Sequence, residues 1–152
     1  MDLISIVWSG LVATTLITAW FWLARSFGWT RFSASIELGS MITKDPRRPI
    51  TETIGFSILF LFGSTVAPAL FRAFLSWWSG PAWIGGAILG GVLGLAVAAL
   101  LPSYGTISAC VRAGVMPPPG PFGIGWGKPT PGIILAGHMI YGAVVAAILA
   151  GF

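Results

Sequence analysis

Apolar residues run almost unbroken for about 20 positions four times along this chain. Each run is long enough for a helix through a hydrocarbon layer of ~30 Å. They cover about 3–24, 53–75, 83–101 and 132–151. The first ends at Arg25. The second carries Arg72 and an aromatic extension to Trp78. Pro102 stops the third, and Pro131 opens the fourth. The first run starts at Asp2 instead of a basic segment, is too long for a signal-peptide core, and lacks a small-x-small site before Arg25. It therefore reads as a span and not as a cleavable signal.

The pattern predicts an all-α fold, an integral membrane four-helix bundle of two helical hairpins forming one domain over 1–152. Composition agrees, with 56% apolar residues and only 8% charged against roughly 25% in soluble domains. Mean hydropathy is +0.91. Charge then orients the bundle. Arg25, Arg31, Lys44, Arg47 and Arg48 follow the first span, and Arg112 and Lys128 follow the third. Arg72 alone belongs to the other side. The positive-inside rule places both long loops in the cytoplasm and both termini outside. This basicity serves topology and anionic headgroups, not nucleic acid. The expected location is a bacterial or archaeal cytoplasmic (inner) membrane, as a multi-pass protein. Trp77, Trp78 and Trp83 flank the short outer turn and suit the headgroup level.

The long loops have their own signatures. In the first, residues 31–41 form an amphipathic stretch, read as a short interfacial helix with basic flanks. Pro46 and Pro49 keep that helix from continuing towards the second span. The second loop, with Met116-Pro117-Pro118-Pro119-Gly120-Pro121, excludes regular helix and is expected to fold against the membrane or the bundle. Gly123-Ile124-Gly125-Trp126-Gly127 has no strand before it and is no dinucleotide fingerprint. Phe62/Tyr141, Gly63/Gly142 and Ala67/Ala146 coincide when spans two and four are aligned. A duplicated parallel hairpin and a chance likeness of apolar helices both explain that.

Candidate chemistry is sparse. Gly86, Gly90, Gly94 and Ala98 recur at spacing four in span three, with Gly142 in span four, a pattern that lets helix backbones approach closely. The stripe serves either internal packing or a dimer or partner seat. Pro68 reads as a kink or as packing. Cys110 is the single cysteine, so no intrachain disulfide or cysteine cluster is possible. Glu37 and Glu52, near several arginines, read as topology or salt-bridge residues. His138 lies within a span, where ionisable groups are functional candidates. The expected role is a neutral ring hydrogen-bonded to a hydroxyl or carbonyl of a neighbouring helix. A tetrapyrrole metal at His138 is the alternative partner, requiring a flat apolar slot with Gly142 facing the macrocycle. No other cofactor and no metal site is expected, and nothing resembles a catalytic constellation.

Gly137-His138-Met139-Ile140-Tyr141-Gly142, with Gly10-Leu11-Val12-Ala13-Thr14-Thr15, Leu38-Gly39-Ser40-Met41, Pro81-Ala82-Trp83-Ile84-Gly85-Gly86-Ala87 and Phe122-Gly123, resembles a prokaryotic family. It consists of small four-helix membrane proteins grouped as a domain of unknown function, often ending in a Gly-His-x-x-Tyr-Gly helix. The resemblance implies the fold and no activity.

Three functions are open on the sequence. The first is a non-catalytic accessory or structural subunit packing against a larger membrane complex, such as an energy-transducing or photosynthetic one, or forming a homo-oligomer. The second is a small transporter or lipid-handling protein built around His138 and Tyr141. The third is a single-histidine pigment or haem binder. The lipid bilayer is a partner in all of them.

Overall fold

The computed structural model describes residues 3–151, so Asp2 lies outside the described part. The fold is all-helical, with no strand among the described residues. Helix α1 is Leu3–Ser26. Span two comprises α3 (Pro49–Leu61), a π-helical turn (Phe62–Val66) and α4 (Ala67–Leu75). Helix α5 is Ala82–Ile107 and α7 is Thr130–Ala150. These four spans are long and apolar enough to cross a membrane, which makes the chain a multi-pass membrane protein. Two short helices, α2 (Ala34–Ser40) and α6 (Ala109–Arg112), and a 3₁₀ segment (Pro121–Trp126) gather at one end, the loop end of the bundle. The opposite one, with the tryptophan-bearing link 76–81, is the turn end.

The glycine stripe of α5 is used inside the molecule. A Cβ at Gly86 would collide with the Gly142 carbonyl and Ala146, and one at Gly90 with the His138 carbonyl. Gly142 faces Gly86 in return. With lipid tails as apolar as leucine, such backbone proximity is what holds two membrane helices together. Helix α1 does the same against span two. Gly10 lies on Gly63, Ser64 and Pro68, and Pro68 is fully buried there.

Pro68 also explains the π turn. The Ala67 N–H donates to the Phe62 carbonyl five residues back. Continued one step, this ladder would pair Gly63 with Pro68, which has no N–H. Tyr141 fills the vacancy, its hydroxyl donating to the Gly63 carbonyl at 2.6 Å. Pro68 is thus both an interruption and a packing residue. Helix α7 is also tied to α1, where the Trp20 indole N–H donates to the Ile133 carbonyl at 2.9 Å.

Several boundaries differ from the sequence reading. Helix α5 passes through Pro102 and continues to Ile107. The continuation carries Tyr104 into a buried polar cluster, which offsets the one lost backbone bond. Span two begins at Pro49, not Thr53, because proline is pre-organised for a first helical position. Helix α2 packs one face on span two. Ser35, Glu37, Gly39 and Ser40 are buried, and a Cβ at Gly39 or Gly55 would fall on the backbone of Thr51 or Ser35. The second loop folds onto the bundle as expected. Trp126, 2% exposed, packs against Phe32 and Tyr104, and the Arg31 N–H donates to the Trp126 carbonyl at 2.7 Å.

Candidate functional site

Spans two and three meet near the turn end, where α4 packs on α5. Towards the loop end α3 leans on α2 instead and makes no substantial contact with α5. Between them lies a cleft of two lobes that share Ile17, Leu38, Leu59, Val97 and His138 as walls. The inner lobe, about 410 Å³, reaches Thr14, Gly63 and Tyr141. The loop-end lobe, about 420 Å³, reaches Phe21, Phe32, Glu37 and Tyr104. Each falls within the roughly 300–1,000 Å³ of small-molecule sites. Exposed Phe62, Val97, Leu100 and Ile107 stand among the residues of the two bordering spans. A separate cavity of about 370 Å³ between α1 and α3 is edged by Arg25 and Glu52.

His138 joins the two lobes. Its Nδ1 lies 2.8 Å from the Ile134 carbonyl, one turn back on its own helix. A carbonyl only accepts, so Nδ1 carries a proton, and in the neutral ring Nε2 keeps its lone pair. The expected bond to a neighbouring helix is therefore not the one formed. Position i−4 lies directly beneath a helical side chain, so the nearest carbonyl wins. Gly142, which would have to face a macrocycle, is covered by Gly86.

Below the loop-end lobe lies a polar cluster that the sequence did not single out. Tyr104 donates to the Glu37 backbone carbonyl at 3.2 Å and lies against the Ser40 hydroxyl. Ser40 also meets the Ser108 hydroxyl at 3.1 Å. The Cys110 thiol donates to the Thr43 carbonyl at 3.3 Å, and Thr43 and Thr51 pair at 2.7 Å. Burial, together with the charges of Asp45 and Glu37, pushes the Cys110 thiol up, so the neutral thiol is the resting form. Cys110 is a fully buried small residue of α6.

Glu37 departs from its expected role. It is 6% exposed, and its Oε2 is buried with no hydrogen-bond partner. Burial pushes its carboxyl up to about 7, against the lowering effects of the Tyr104 hydroxyl and the Arg25 charge. A topology or salt-bridge residue would sit in water or against a cation. The available signal was its setting, since Ile36, Leu38 and Gly39 surround it without another charge on α2. Tyr104 was hidden by the expectation that Pro102 ends its helix.

The remaining candidates divide cleanly. Gly86, Gly90, Gly94, Ala98 and Gly142 lie on the α5–α7 side, Ala98 being 3% exposed. Trp77 and Trp83 are exposed at the turn end, 90% and 58%. Trp78 packs over Gly85 and donates to the Pro81 carbonyl at 3.1 Å. Among the described residues no group of three His, Cys, Asp or Glu side chains could hold a metal ion. No protein-family model, curated protein or solved structure matches the chain.

Proposed function

We propose that this is a non-catalytic, lipid-handling protein of a prokaryotic inner membrane that holds one lipid chain in the cleft between spans two and three. The observation that carries this reading is the cleft itself. It is an apolar two-lobed slot between membrane-spanning helices, with the one carboxyl group of its walls, Glu37, in the loop-end lobe. A slot in that position is bathed by lipid, and an acyl or prenyl chain matches its walls. The accessory-subunit reading drew on the glycine stripe of α5, and that stripe is already occupied by α7.

Native mass spectrometry of the full chain, extracted in a mild detergent, tests the proposal. The expected spectrum has a lipid adduct that is lost several-fold in Val97→Trp, which fills the cleft from a wall shared by both lobes. Leu95→Trp, on an exposed position of the same helix that lines neither lobe, should keep the adduct. Equal adducts in all three proteins, or none in wild type, would overturn it. So would a photo-crosslinker at Val97 that captured a partner's helix in place of lipid, a result that restores the accessory subunit.

A further inference from the structure

Resting on the lipid-chain reading, we propose that the cleft selects amphiphiles whose head is a primary ammonium group, bound at the Glu37 carboxylate. The loop-end lobe is lined by four polar side chains, Glu37, Ser103, Tyr104 and His138. The Tyr104 hydroxyl is already engaged by the Glu37 backbone carbonyl and the Ser40 hydroxyl. The Nδ1 proton of His138 is directed to Ile134. Glu37 and His138 both line the lobe, and the groups they leave without a proton donor are acceptors, a carboxyl whose buried Oε2 has no partner and the imidazole Nε2, while Ser103 adds one hydroxyl.

A ligand head that suits such a lobe brings donors and few acceptors. An ammonium group has three donors and no acceptor. A hydroxyl has one donor and brings no countercharge to the carboxylate. A carboxylate or phosphate head would add negative charge beside Glu37. A buried carboxylate is also costly until paired, and an ammonium supplies both the hydrogen bond and the countercharge. The Arg25 guanidinium does not do so. It belongs to an exposed residue at the end of α1 and reaches Glu37 only through its field.

Binding should depend on pH through Glu37. The groups facing it are Tyr104 from α5, Arg25 from α1, Cys110 from α6 and His138 from α7. Helix α3 brings only Glu52, which is exposed and lines the other cavity beside Arg25. The free carboxyl titrates at about 7, so ammonium affinity should rise from acid pH towards a plateau above that point. An alkylamine stays protonated across this range, as lysine does with a pKa of about 10.4.

The test is equilibrium binding of radiolabelled hexadecylamine, hexadecanol and palmitate to the full chain in nanodiscs at about pH 8. The amine should bind about ten-fold more tightly than the alcohol, the scale of a charge-assisted hydrogen bond. Glu37→Gln should remove that advantage, since the countercharge is gone. If the variant does not fold, the wild-type amine-to-alcohol ratio decides the matter, since it must fall as the pH is lowered through Glu37's titration. A short-chain phosphatidylethanolamine distinguishes sources. Binding equal to the amine's identifies a phospholipid head, and weaker binding identifies a free long-chain base. If all three probes bind equally, the ammonium selectivity is wrong and the cleft stands. If none binds, the lipid-chain reading fails with it.

Discussion

Glu37 is where one residue sets a property of the whole fold. Its carboxyl holds a proton up to about pH 7 in the folded chain, whereas in an unfolded chain it would lose it near 4.3. Between those values the folded state binds one proton more than the unfolded state, so stability falls as pH rises through the window and levels off above it. The shift corresponds to roughly 4 kcal/mol. Thermal unfolding in detergent should therefore show a more stable wild type at about pH 5 than at about pH 8. Glu37→Gln should flatten that difference and unfold at a higher temperature than wild type on the alkaline side. A variant that kept the full wild-type pH dependence would assign the effect to another group. The same residue shows how far a sequence can be read. Its acidity and its arginine neighbours were visible, but its burial depends on α2 turning inward over Gly39 and Gly55, a contact between segments 16 residues apart in number.

At the scale of elements, contact between helices is made by absence of side chain. Gly142 and Gly86 each exclude a methyl group on the other, so Gly142→Ala must push α7 off α5. The expected loss is about 1–3 kcal/mol, typical of overpacking. Gly132, on the same helix, has nothing within 4 Å of its would-be Cβ. Gly132→Ala should be neutral or stabilising by up to ~1 kcal/mol through helix propensity. Unfolding midpoints of the two variants, measured side by side, check this, and equal shifts would mean that the α5–α7 contact is looser than described. This element pairing was largely legible, because small residues at spacing four announce a close approach before its partner is known. The ends of elements were less so. Pro102 and Pro49 were read by their local habit of breaking helices. Long-range ties at Tyr104 carry α5 through the former, and the latter begins a helix instead of preceding one. The π turn was illegible because it needs Pro68, Gly63 and Tyr141 together, and Tyr141 is 78 residues from Gly63.

For the molecule as a whole, the loop end behaves as one unit. Thr30 and Thr130 share a hydrogen bond at 2.7 Å, the Trp126 indole donates to the Pro117 carbonyl at 3.2 Å, and Trp126 packs between Phe32 and the edge-on ring of Tyr104. Seven of the eight basic residues belong to the loops or helix ends gathered there. Glu37, Asp45 and Glu52 lie at the same end, so its formal charge is 7 − 3 = +4. Because Lys and Arg count for orientation and acidic residues contribute little, the loop end should face the cytoplasm, with both termini outside. That orientation also puts the ammonium-selective mouth of the cleft at the cytoplasmic leaflet. Single cysteines in a Cys110→Ser background test it, the serine retaining a donor towards Thr43. Val115→Cys lies on the exposed second loop and Ser79→Cys on the exposed link between spans two and three, and neither change alters the charge count. An impermeant maleimide applied to intact cells should label position 79 and leave position 115 unmodified until the membrane is opened. The reverse pattern would invert the bundle, and the cleft would then draw its ligand from the outer leaflet.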